Sequence, residues 1–205
     1  MDKIRFEDVR NLVEYEKVRP AIRAAVIALK RDRRVPVGDR LSVVFENRDT
    51  VLFQIQEMVR AERLVDEARI REEIACYNEL IPDPGELSAT LFIEIEDRTQ
   101  IRPILDRFLG IDQGEHVWLE VGGTRVPARF APGRSREDRI SAVHFLRFAV
   151  PETLRTAFKT APLALVVEHP ACRGRTPLGE GTRRALLEDL GWVVPAPVGA
   201  GGASA

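Results

Sequence analysis

The chain has 205 residues, enough for one domain with a sizeable core, and its 31 basic and 32 acidic side chains leave a formal charge of −1. So balanced a molecule has no overall field to draw it onto nucleic acid or an anionic membrane. No apolar run approaches the roughly 20 residues that span a bilayer. The acidic start MDKIRFEDVR is unlike a secretory or transit signal, and Cys76 and Cys172 stand apart without a paired motif, so a reducing cytoplasm without a disulfide is expected. Lysine is confined to Lys3, Lys17, Lys30 and Lys159; with abundant alanine, this arginine excess reads as base composition rather than as a general anion-binding device.

In chain order, Val9, Leu12 and Val13 share a helical face, and Ile22, Val26 and Leu29 continue it after Pro20. Pro20 suits a first helical position, which predicts a break near Val18. The run RDRRVPVGDR at 31–40 reads as a connector. A strand is predicted over Leu41 to Glu46, and Asn47 to Thr50 can cap a helix whose apolar face is Leu52, Ile55, Met58 and Val59. A second helix carries Ile70, Ile74, Tyr77 and Ile81, with Asp66 as cap and Pro82 as stop. The two make a helical hairpin, a surface that could equally serve a homo-oligomer.

From Leu87 the period becomes two, with Ala89, Leu91, Ile93 and Ile95 opposite Thr90, Glu94 and Glu96, which marks a strand. A helix around Gln100 to Phe108 precedes HVWLEV and TRVPARF, a hairpin turning on Gly122 and Gly123, the pair able to take the positive φ such turns demand. ISAVHFLRFAV at 140–150 is apolar on both faces and predicts a central strand. Pro151 opens a short helix, LALVVEH another strand, and 181–190 the last helix. The tail VVPAPVGAGGASA, 193–205, has the composition of a disordered segment, leaving one domain over 1–192. The expected architecture is α+β: an antiparallel or mixed sheet packed against N-terminal helices and the helical hairpin.

Chemistry concentrates in a few places. Gln56, Arg60 and Arg63 share one face of the first hairpin helix, Gln54 and Glu57 another, and Glu73 lies four residues before Tyr77 on its partner. On the central strand Arg147 needs an anionic partner, Glu57, Glu73 or a strand carboxylate such as Glu94, because an unpaired guanidinium is costly to bury. A ligand pocket is therefore expected from Gln54, Glu57, Arg60, Glu73, Tyr77, His144 and Arg147; the alternative is a solvated surface laced with ion pairs. His144 shares its face with Ile140, Ala142 and Leu146, so a core histidine with one satisfied nitrogen competes with an acid or base.

No catalytic residue is assigned. Glu57, Glu62, Glu73 and His144 lack the Glu-x-x-His repeats of a di-iron bundle, and His169 with Cys172 is half a zinc site, so neither metal nor cofactor is expected. Arg125, Arg129, Arg134, Arg136 and Arg139 are interrupted by Glu137 and Asp138 and read as a solvated stretch rather than a nucleic-acid footprint. Phosphate-loop, dinucleotide, nucleophile-elbow and zincin motifs are missing from the sequence.

FENRDTVLFQIQEM followed by Glu62 and Arg63, then YNELIP, LSATLFIEI, ISAVHFLRF and VVEHP, together resemble a bacterial family known as domain of unknown function 3501. The resemblance spans most of the chain outside the tail. It implies genes lying beside those for a rubrerythrin-like protein and an iron–sulfur oxidoreductase related to heterodisulfide reductase. The sequence departs from the family where an aromatic residue is expected after His169 and Pro170 and Cys172 stands instead, which weakens any zinc or thiol role there. Lacking clustered cysteines, the chain would leave any iron–sulfur cluster to its partner. The resulting expectation is a non-catalytic accessory protein of a cytoplasmic redox or oxidative-stress system, partnered by those two proteins. The polar-pocket enzyme or ligand-binding protein is the alternative, and a nucleic-acid regulator using the arginine stretch is a third reading.

Overall fold

Alternation along β3 (Glu86–Ile93) sends Leu87, Ala89, Leu91 and Ile93 to one side and Ser88 and Thr90 to the other, and both sides are buried. This strand is the pivot of the computed structural model, which describes residues 1–133, 135, 136 and 139–192. On one flank β3 pairs with β2 (Leu41–Glu46), which pairs with β1 (Arg34–Val37); on the other it pairs with β9 (Val143–Ala149), which pairs with the two-residue β6 (Arg129–Phe130). A second, four-stranded sheet has the order β11 (Cys172–Pro177), β10 (Leu163–His169), β4 (Val117–Val121), β5 (Thr124–Pro127). Its β4–β5 hairpin turns on Gly122 and Gly123, at φ 57° and 89°, as the sequence predicts. A minor ladder joins β7 (Ser135–Arg136) to β8 (Arg139–Ile140), and every pairing is antiparallel.

The inward rows of the two sheets share one core, with Val43, Phe45, Leu91 and Phe148 from the first and Leu119, Leu163, Leu165 and Val167 from the second. Three short helices add Ile104 from α4 (Ile101–Arg107), Phe158 from α5 (Arg155–Thr160) and Leu186 from α6 (Glu180–Asp189), joined by Trp192. The helical hairpin forms a second core, in which α2 (Arg48–Ala61) and α3 (Glu67–Asn78) pack Val51, Ile55, Val59, Ile70 and Ile74 with Ile81, the N-terminal Ile4 and, from β9, Phe145. Asn47 caps α2 in a reciprocal box with Thr50, and Asp66 accepts from the Arg69 N–H at the head of α3. The fold is α+β, with two face-to-face sheets where one is expected from the sequence.

Two local expectations are overturned. No break occurs at Pro20: the helix α1 (Leu12–Arg31) runs through it. A proline there removes one backbone hydrogen bond, but Tyr15 and Arg19 before it are bonded to Glu57 of α2, and Val26 after it is buried. The connector at 31–40 is also a strand, β1, because Val35 and Val37 enter the core; Pro36 is tolerated on an edge. The edge strand β11 is likewise not foreseen. It approaches β1 so closely that a Cβ at Gly174 would stand 2.9 Å from Val37 Cγ1. The tail at 193–205 and Arg134 lie outside the described residues.

Candidate functional site

The helical layer holds a charge network centred on Glu57. Glu57 accepts the Tyr15 hydroxyl at 2.8 Å and the Arg19 guanidinium through both oxygens, at 2.8 and 2.9 Å, while Arg60 Nε stands 3.5 Å away. The Arg19 hydrogen bonds lead in holding the Glu57 carboxyl at about 2, the Tyr15 bond helping and burial opposing. Burial, then the bond to Glu57, drives the Tyr15 phenol upward. A carboxylate so deeply ionised and doubly forked is a poor proton carrier near neutrality. Gln56 is spent on the main chain, its amide oxygen accepting from Arg10 N–H at 2.8 Å and its nitrogen donating to Arg10 C=O at 2.9 Å.

Arg147 lies elsewhere, in a cleft of about 890 Å³ between the tail of α3 and the β9–β6 side of the first sheet. It donates to Glu86 at 3.2 Å, to the Ile81 carbonyl at 3.3 Å and to the Glu79 carbonyl. Lys3 reaches the same chain reversal, donating to the Asn78 and Ile81 carbonyls at 3.1 and 2.9 Å. These two cations therefore satisfy carbonyls just beyond a helix C-terminus, where the macrodipole favours positive charge. Arg129, opposite Arg147 in register, takes the other Glu86 oxygen at 2.6 Å, so one carboxylate bridges two guanidiniums. Ser88, Cys76 and Asp83 complete the polar lining, against Phe130 and Phe145.

The seven candidate pocket residues are thus divided. Glu57 and Arg60 meet on the α1 side of α2, and Arg147 stands in the cleft with a strand carboxylate, Glu86, as its partner rather than Glu57, Glu73 or Glu94; Glu94 is bonded to Arg34 and Ser42. His144 faces the sandwich interior, 1% exposed, with Nε2 2.8 Å from the Ser141 carbonyl and its ring edge-on to Phe130. Gln54 on α2 and Glu73 on α3 are half-buried, and Tyr77 packs against the helical core. Of the seven, Arg147 alone lines the cleft among the described residues.

His169, stacked on Phe108, is within 3.3 Å of the Leu109 carbonyl and accepts the Ala171 N–H at 3.2 Å; burial leads in lowering its pKa. Both nitrogens are used, which suits a neutral structural ring. Among the described residues no three His, Cys, Asp or Glu side chains cluster as metal ligands would, and no helix is long and apolar enough to cross a membrane.

The sequence matches the family described as "Protein of unknown function (DUF3501)" over residues 3–190. The chain belongs to the DUF3501 family. A solved structure titled as a novel protein of unknown function from Burkholderia pseudomallei K96243 is similar at 34% identity and a TM-score of 0.85, covering 92% of this chain and 100% of that one. No curated protein matches.

Three strings on which the DUF3501 resemblance rests meet at the cleft: YNELIP supplies Asn78 and Glu79, LSATLFIEI supplies Ser88, and ISAVHFLRF supplies Phe145 and Arg147. Sequence reasoning missed Lys3, Glu86 and Arg129 here, and Tyr15 and Arg19 around Glu57. It also missed the buried pair of Arg33 with Asp189, whose forked bonds of 2.6 and 2.9 Å tie the start of β1 to α6. Burial pushes the Asp189 carboxyl up, and Arg33 offsets this only in part. Spacing gives no signal for such pairs, because their members lie far apart in the chain.

Proposed function

We propose that this DUF3501 chain is a non-catalytic accessory protein of a cytoplasmic redox or oxidative-stress system, acting with a rubrerythrin-like protein and an iron–sulfur oxidoreductase. One observation supports the non-catalytic half: the groups that could move a proton or hold an anion are committed to structural partners. Glu57 is forked by Arg19, Arg147 is locked onto Glu86 and two carbonyls, and His144 is sealed in the sandwich. The partner half rests on the gene neighbours that the family resemblance implies.

Anaerobic affinity purification of the tagged full chain from its own host, with mass spectrometry of what stays bound at moderate salt, tests it. Recovery of either redox protein is the expected result. If neither is recovered and a deletion strain tolerates peroxide as its parent does, the reading fails.

A second reading, a small-molecule site, is favoured by the cleft itself, whose volume of about 890 Å³ lies in the range of ligand pockets and which combines Arg129, Arg147 and Lys3 with carboxylates and two phenylalanines. Screening carboxylate and phosphate metabolites by thermal shift against wild type and Arg129→Gln separates the two readings. A ligand whose stabilisation vanishes in the variant favours the cleft.

A further inference from the structure

The outer face of the second sheet is exposed and unusually dressed. Its outward row on β4 and β10 includes Trp118, Ala164 and Val166, which form a small apolar cluster of their own, 8%, 0% and 3% exposed. Arginines from both edge strands reach across this face. Arg125, on the edge strand β5, reaches across β4 to Glu168 of β10 at 2.7 Å, its guanidinium 5.0 Å above the Trp118 ring. Arg175, on the opposite edge strand β11, reaches across β10 to Glu120 of β4 at 2.7 Å. Two straps thus cross the apolar cluster from opposite sides, and beside them Arg173, exposed and in register with Glu168, has no salt bridge among the described residues.

We propose that this face is a docking surface for an acidic protein segment that carries an apolar or aromatic side chain between its carboxylates. Three guanidiniums, Arg125, Arg173 and Arg175, here face two glutamates, so the surface keeps a net positive charge in a chain that is slightly negative overall. Charge complementarity therefore selects an anion. The Arg125–Glu168 strap is held by a pair whose side chains are 41% and 49% exposed, and such a pair contributes little to stability, whereas Glu120 is the more buried anchor at 16%. An incoming carboxylate can replace Glu168 as the partner of Arg125 at small cost, and the exchange uncovers Trp118 beside Val166 for the apolar side chain. The free cavity of about 550 Å³ over Val166, Pro170 and Gly174 receives it. Nucleic acid fits less well: the cavity beside the arginines is lined by Val166, Pro170 and Gly174 and holds no aromatic ring on which a base could stack.

The surface takes its biological partner from the accessory reading, but its chemistry is tested without it. A fluorescein-labelled peptide with a central Phe-Leu pair flanked by Asp and Glu is titrated against the full chain by anisotropy. The controls are the same peptide with Gln and Asn for Glu and Asp, and a short oligouridine. The acidic peptide is expected to bind saturably and to perturb Trp118 fluorescence in a Trp192→Phe background. Arg173→Glu weakens it by about tenfold, Arg173→Gln by less, and the exposed Arg98→Glu not at all. Equal binding of the neutral peptide, tighter binding of oligouridine, no binding at low salt, or indifference to both Arg173 variants each overturns the proposal. A host purification that returns the redox proteins equally with wild type and Arg173→Glu would leave the accessory reading standing and remove this surface from it.

Discussion

The outer faces of the two sheets are built from the same pairing, arginine with glutamate, in surroundings that differ in how far they exclude water. Over the first sheet the helices seal Glu46, Ser88 and Thr90 at 2% exposure, and Arg147 is pinned to Glu86 and to carbonyls beyond α3. Over the second, Arg125 and Glu168 stand largely in water, 41% and 49% exposed, while Arg175, 48% exposed, holds the more buried Glu120, with bonds of 2.7 Å each. Geometry alone does not distinguish them. What differs is the alternative available when the pair breaks: an exposed guanidinium is rehydrated at once, whereas a sealed one leaves its partner stranded. The same residue types are therefore scaffold on one face and an available contact on the other.

The sealed extreme is Arg33–Asp189, whose side chains are 2% and 4% exposed, and breaking it gives the largest effect. Arg33→Ala strands a carboxylate that burial already disfavours and is expected to cost about 3–5 kcal/mol in urea unfolding. Arg33→Met with Asp189→Leu should recover most of that loss. If Arg33→Ala is as stable as wild type, burial is not what separates the two classes of pair.

Glu57 lies between the extremes, its side chain 25% exposed. Its carboxyl is held at about 2, well below the ordinary glutamate value of 4.5. A depressed folded-state pKa contributes stability that is fully present above the unfolded value and is lost as pH falls through the folded one. Glu57→Gln should therefore cost about 2–3 kcal/mol at neutral pH. Its difference from wild type should shrink between roughly pH 4.5 and 2. Denaturant midpoints taken across that window check both the size and the sign; a difference that stays constant with pH would mean that Glu57 packs rather than pairs.

How much of this was legible in the sequence follows from the range of each interaction. The Asn47 and Asp66 caps, the Gly122–Gly123 turn and the alternation of Leu87 to Ile93 are local, and their signals sit within a few residues. Arg147 could be read as needing a carboxylate, but not which one, since Glu86 is 61 positions away; Arg33 and Asp189 are 156 apart. The strands β1 and β11 were hidden because Pro36, Gly174 and Pro177 contradict strand propensity, and each is permitted by an edge position or by the close approach of the two sheets. For the site, the strings around Arg147 belong to the strand and the helix end that line the cleft. The crossed arginines over Trp118 could not be foreseen, because their meaning depends on the register of four strands.

The smallest effect on stability is the sharpest test of the exposed face. Glu168→Gln removes the anchor of the Arg125 strap where both side chains are largely solvated, 49% and 41% exposed, so the melting temperature should not move measurably. Binding should move, and upward: with its internal competitor gone, Arg125 meets the carboxylate of an acidic peptide without first surrendering its own, and affinity rises severalfold. A rise without a stability change identifies Glu168 as a placeholder for a partner's carboxylate. A fall would show that Glu168 instead holds Arg125 in place for the incoming carboxylate, and the placeholder reading would fail while the sealed face stays as it is.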